Sequence, residues 1–86
     1  MQIDGAVIRE QGVTFAVVVV KREVVENSSR AQDAIMSFLP AFPGMPVVLM
    51  AQDRRGVPTY YGRRDISRFM ASIPLHAIPW RQYSIN

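Results

Sequence analysis

The chain has no cysteine, a single histidine and a single lysine. Without cysteine there is no disulfide framework, no thiolate nucleophile and none of the cysteine-based zinc spacings. One histidine leaves no multi-histidine metal site. His76 lies in an apolar, proline-bracketed stretch with no sequence neighbour to act as its partner, so it reads as a packed or exposed structural residue. No G-x-G-x-x-G, phosphate-loop or H-E-x-x-H pattern occurs. The longest apolar run, Val13 to Val20, is far short of the roughly 20 residues needed to cross a bilayer as a helix. Asp4 near the start, and charge directly after that run, argue against a secretory signal. Ser28 and Ser29 read as helix caps, and Glu23, Glu26 and Asp33 as solvated charge. The expectation is therefore a non-enzyme with no cofactor and no bound metal. Lack of cysteine in a small domain also fits a reducing, cytoplasmic location.

The 86 residues suit one domain over residues 1–86, and 49% hydrophobic with 20% charged content is that of a folded globular chain. The +3 net charge is uneven. Residues 1–50 carry four basic and five acidic side chains, whereas residues 51–86 carry six arginines against two aspartates. Arginine makes forked contacts with phosphate and carboxylate that lysine cannot. A compositional bias of the source would produce the same excess.

The stretch Val13–Val20 sets the architecture. Its β-branched residues favour a strand, and its lack of alternation marks a strand buried on both faces. Ile3–Arg9 is expected to pair with it as a hairpin through Glu10-Gln11-Gly12. On that first strand Asp4 falls on the same face as Ala6 and Ile8, which spoils the alternation. Val24–Glu26 either extends the central strand or bends away from it. Ser29 with Gln32 forms a capping-box pattern before Ala31, Ala34, Ile35, Phe38 and Leu39, one helical face that Pro40 ends. Val47–Ala51 and Val57–Tyr61 read as strands joined by Asp53-Arg54-Arg55-Gly56, with Pro58 marking the second as an edge strand or one that starts late. Ile66, Phe69, Met70 and Ile73 mark a second helix over about 63–72, and Trp80–Ile85 a last strand.

The expected fold is a two-layer α+β domain of order ββαββαβ, a mixed five-stranded sheet with both helices on one face. That leaves a second apolar sheet face to be covered by another copy of the chain, or by the loops and the Pro74–Pro79 connector.

Two functional readings follow. The first is a non-catalytic interaction module that associates with itself, or with another protein, through an exposed sheet face or edge. The second is an anion- or nucleic-acid-binding domain, and it rests on Tyr60-Tyr61-Gly62-Arg63-Arg64-Asp65. Arginines at a helix start oppose the helix dipole. With the free N–H groups at Gly62–Arg64 they would form an anion site, and one tyrosine could stack a base. Its residues are Arg54, Arg55, Tyr61, Gly62, Arg63, Arg64 and Arg68. The plain alternative is that one tyrosine packs inside, Arg68 pairs with Asp65 at i, i+3, and the arginines only confer solubility.

Overall fold

The computed structural model describes residues 1–10 and 12–85, so Gln11 of the expected hairpin turn lies outside the described residues. Five strands form one mixed sheet: β1 (Gln2–Glu10), β2 (Val13–Val19), β3 (Val47–Gln52), β4 (Pro58–Tyr61) and β5 (Arg81–Ser84). Between them come α1 (Arg22–Val25), α2 (Ser28–Phe38) and α3 (Arg64–Ala71), with short 3-10 turns at Leu39–Ala41 and Leu75–Ala77. The sheet order is β4-β3-β2-β1-β5. β2 and β3 are parallel across the α1–α2 crossover, and the other three pairings are antiparallel. The mixed five-stranded sheet and the order ββαββαβ are thus those expected.

The valine run is the middle strand, as its composition requires. Successive side chains alternate faces. Ala16 and Val18 are buried with Ala31, Phe38 and Phe42, beneath α2 and the turn after it. Phe15 and Val17 are buried with Ile66, Met70 and Ile78, beneath α3 and the connector. The two main helices therefore lie on opposite faces, which corrects the expected placement of both on one. The reason is β2 itself: a strand apolar on both sides must have both sides covered. Phe15 meets Phe69 of α3 edge-on, at 6.4 Å between ring centroids. The sheet face left open by the sequence reading is occupied by α3, Leu75, Ile78 and Trp80.

Several local expectations are settled or changed. Of the two courses open to Val24–Glu26, the chain takes the second and bends away, into a helical turn whose Val24 and Val25 pack into the cluster under α2. The helix that follows starts at Ser28, and its N-cap is Asn27, whose side-chain oxygen accepts from Arg30 N–H at 3.0 Å. The Ser29–Gln32 capping box does not form: asparagine is at least as good a cap as serine, and it comes two residues earlier. Gly5 lies inside β1, buried between β2 and β5. A Cβ added there would sit 2.7 Å from the Val17 carbonyl oxygen and 3.6 Å from the Tyr83 ring. The glycine lets the β1 and β2 backbones approach closely, with the Tyr83 ring packed alongside.

Candidate functional site

The β3–β4 hairpin is set by its turn. Asp53 Oδ1 accepts from the N–H groups of Arg55 and Val57 at 2.8 and 2.9 Å, and Gly56 takes φ of +81°. That geometry delivers β4 to the sheet edge, paired only with β3. The direction of its backbone groups follows from β3. Pro46 and Met50 carbonyls accept from Ala16 and Val20 of β2 and its flank, so even-numbered β3 residues face β2. Odd-numbered ones face β4, which makes Leu49–Tyr61 and Ala51–Thr59 the hydrogen-bonded pairs. Tyr60 and Pro58 then point their backbone groups out of the sheet. Pro58, which has no N–H, occupies a position where none is needed.

The adjacent tyrosines alternate as a strand demands. Tyr61 joins the α2 side, where its hydroxyl accepts from Gln32 Nε2 at 3.2 Å. Tyr60 joins the α3 side, and its hydroxyl is buried without a hydrogen-bond partner among the described residues. Burial raises its pKa above the usual tyrosine value. Neither ring is freely exposed for stacking; both are half-buried. Gly62 ends the strand at φ of +150°, and a Cβ there would lie 3.0 Å from Val48 Cγ2. Tyr61, Gly62 and Arg63 line one side of a groove of about 330 Å³, and Gln32, Ile35 and Leu39 of α2 with the turn after it line the other.

The arginines do not converge on one place. Arg63 Nε and Nη2 donate to Asp65 Oδ1 and Oδ2 at 2.8 and 2.7 Å, a forked pair. The guanidinium holds the Asp65 carboxyl down at about 2, helped by backbone N–H groups at the helix start. The same pairing raises the Arg63 pKa. The anion at this helix start is thus the chain's own Asp65, which takes Arg63 where the i, i+3 reading gave it Arg68. Arg63 precedes the helix, so it can fold back over the first turn. Arg64 and Arg68 are exposed on α3, one turn apart. Arg54 and Arg55 are in the hairpin turn, at the opposite end of β4 and on the order of 20 Å along the strand from Arg63. Of the seven residues named from sequence, only Tyr61, Gly62 and Arg63 share a groove.

His76 lines a different groove, with Asp4, Val19, Met50, Gln52, Leu75 and Trp80. No ion pair joins it to a carboxylate among the described residues. Asp4, Gln52 and Trp80 were not singled out from sequence; the one signal was Asp4 breaking an otherwise apolar face. Among the described residues no three acidic, histidine or cysteine side chains cluster as metal ligands. Among the described residues no helix is long and apolar enough to cross a membrane. No protein-family model matches the chain, and no curated protein or solved structure matches it.

Proposed function

We propose that the protein is a non-catalytic interaction module that associates with a second copy of itself by joining the two β4 edges. The observation that carries this is the unpaired, outward-directed backbone of Tyr60 on an edge strand. Unpaired edges are templates for strand addition. The β4 pattern is self-complementary. In an antiparallel pairing centred on Tyr60, the two Tyr60 residues exchange both backbone bonds. Gly62 N–H of each copy then donates to the Pro58 carbonyl of the other, while the Gly62 carbonyl, opposite the proline's missing N–H, stays with solvent. Val57, an exposed apolar side chain at 54%, and Thr59 of one copy come alongside Arg63 and Tyr61 of the other, at the mouth of the α2 groove. A four-residue edge buries little area, so the association is weak and transient.

Sedimentation equilibrium from micromolar to millimolar protein tests this. The expected result is a concentration-dependent dimer, with amide shifts at residues 57–62. Thr59→Lys, an exposed change that places charge on the edge, raises the dissociation constant about tenfold or more. A monomer at millimolar concentration, or shifts confined to the β1–β5 edge, overturns the reading.

A second reading, anion or nucleic-acid binding, is favoured by one observation. Arg64 and Arg68 stand exposed at i, i+4 on α3, and neither has a carboxylate partner among the described residues. Such binding weakens steeply with salt. Loss of affinity for short DNA or RNA on reversing both charges supports it, and unchanged affinity refutes it.

A further inference from the structure

We infer that the groove between the Leu75–Trp80 connector and the carboxyl ends of β2 and β3 binds a small organic cation, an amine or guanidine with an apolar body. The groove is open to solvent and has a volume of about 410 Å³, the size of small-molecule sites. Its lining includes Val19, Met50 and Gln52, at the carboxyl ends of the parallel strands β2 and β3. Val19, Met50 and Leu75 supply apolar lining.

The choice of a cation comes from the polar groups that remain. Trp80 Nε1 donates to the Leu75 carbonyl at 3.1 Å, which uses its only donor and holds the indole ring in place. Gln52 Nε2 donates to the Gly56 carbonyl at 3.1 Å, which leaves the amide oxygen as an acceptor. Asp4 adds a carboxylate, and His76 completes the polar lining. No lysine or arginine lines the groove, although the chain holds ten basic residues and seven acidic ones. Two basic residues come near its walls in the chain: Lys21, exposed two residues beyond Val19, and Arg81, opposite Gly5 on β5. The Arg81 side chain shares the face of Tyr83, on the α2 side of the sheet. The lining itself is therefore rich in acceptors, with Asp4 its one formal charge and the Trp80 indole in its wall.

Asp4 has no structural need to be there. It lies on the β1 face that carries Ala6 and Ile8, in register with Gln82 of β5. An apolar residue at that position would close the face better. A residue that breaks a local pattern without structural gain marks a site of function.

The test is titration of the wild-type protein with phenethylamine, and separately with its neutral analogue 2-phenylethanol. Trp80, the single tryptophan, reports by fluorescence, and the amide spectrum reports location. The expected outcome is saturable binding of the amine, with shifts at Asp4, Val19, Met50, Gln52 and 75–80, and binding of the alcohol weaker by about tenfold or more. Asp4→Asn, an exposed and isosteric change, removes about the same factor for the amine and leaves the alcohol unchanged. Equal binding of amine and alcohol, shifts mapping elsewhere, or no saturation overturns the inference. If only a lysine-bearing peptide binds, and phenethylamine does not, the groove recognises a protein side chain and the small-molecule assignment is wrong. None of these outcomes depends on self-association at β4.

Discussion

Replacing Gly5 with alanine tests how the sheet is assembled. Gly→Ala in a tolerant strand position stabilises by about 0.4–1 kcal/mol, because the unfolded chain loses freedom. Gly5 is not tolerant. The new methyl carbon would stand 2.7 Å from the Val17 carbonyl oxygen, a backbone atom that cannot rotate away. Relief requires β1 and β2 to part by roughly half an ångström, since non-bonded carbon–oxygen contacts settle nearer 3.3 Å. The strand cannot simply shift, because Gly5 pairs with Val18 on one side and Arg81 on the other. Overpacking of this kind costs about 1–3 kcal/mol. Set against the chain-entropy gain, Gly5→Ala should destabilise the protein by about 1–2 kcal/mol. In a domain of this size that is a fall in melting temperature of roughly 5–15 °C. Urea denaturation should give a lower midpoint at unchanged slope. The amides that join β1 to β2 should exchange faster, since the clash is with the Val17 carbonyl, whereas the Tyr83 ring at 3.6 Å is in ordinary contact and stays in place. A variant as stable as the wild type would refute the close approach of β1 to β2.

Other outcomes are fixed by single side chains. Tyr60→Phe removes a buried hydroxyl that has no partner, so it should stabilise by about 1 kcal/mol in denaturation; a loss of stability would mean that the hydroxyl is satisfied in solution. Because β4 pairing uses the Tyr60 backbone alone, the same variant should leave self-association unchanged. The Asp65 carboxyl should stay ionised down to about pH 2, and Arg63→Gln should return it toward its ordinary 3.8, as read by carbonyl NMR. Its folded value is depressed, so the stability it contributes is present above pH 3.8 and lost as pH falls through about 2. Both groups are exposed, so the effect on the acid limb is small, and a large one would be inconsistent with the pair.

The parts of the fold legible in sequence are those fixed by local chemistry. The unalternating valines place β2 in the middle, Pro58 puts β4 at an edge, and the spacing of Ile66, Phe69 and Met70 marks α3. Gly12, Gly44 and Gly56 all take positive φ in turns. The start of α2 is not legible because Asn27 and Ser29 are competing caps two residues apart, and propensity does not rank them. Val24 and Val25 carry strand propensity but are overruled by packing beneath α2, a tertiary effect. Which face each helix covers depends on how the chain crosses the sheet, and no helical period records that. The arginine cluster was contiguous in sequence and dispersed in space, because β4 separates its two halves. The Asp4 groove is the reverse case: residues 4, 19, 50, 52 and 75–80 meet only after β1, β2, β3 and the connector are in place.

The grooves follow from the size of the chain. Five strands at about 4.8 Å spacing span roughly 20 Å, whereas one helix with its side chains covers about 10 Å. A two-faced central strand obliges an 86-residue chain to divide its helices, α1 and α2 to one face and α3 to the other. Each face is then only partly covered, and a furrow beside each helix is unavoidable. A furrow alone is thus no sign of function in this architecture; what fills its walls is. On the α2 side the groove is edged by a forked Arg63–Asp65 pair that already satisfies its own charge. Its remaining unsatisfied feature is the backbone of β4, which suits a strand. On the α3 side, Asp4 and the Gln52 amide oxygen are left without donors among the described residues, beside a clamped indole. Water can solvate those acceptors, but only a cation with an apolar body uses them together with Val19, Met50 and Leu75. Asp4→Leu separates leftover space from a site: it should raise stability by closing the apolar face, and abolish the preference for phenethylamine over 2-phenylethanol. A gain in stability with that preference intact would mean that the furrow is only unfilled surface.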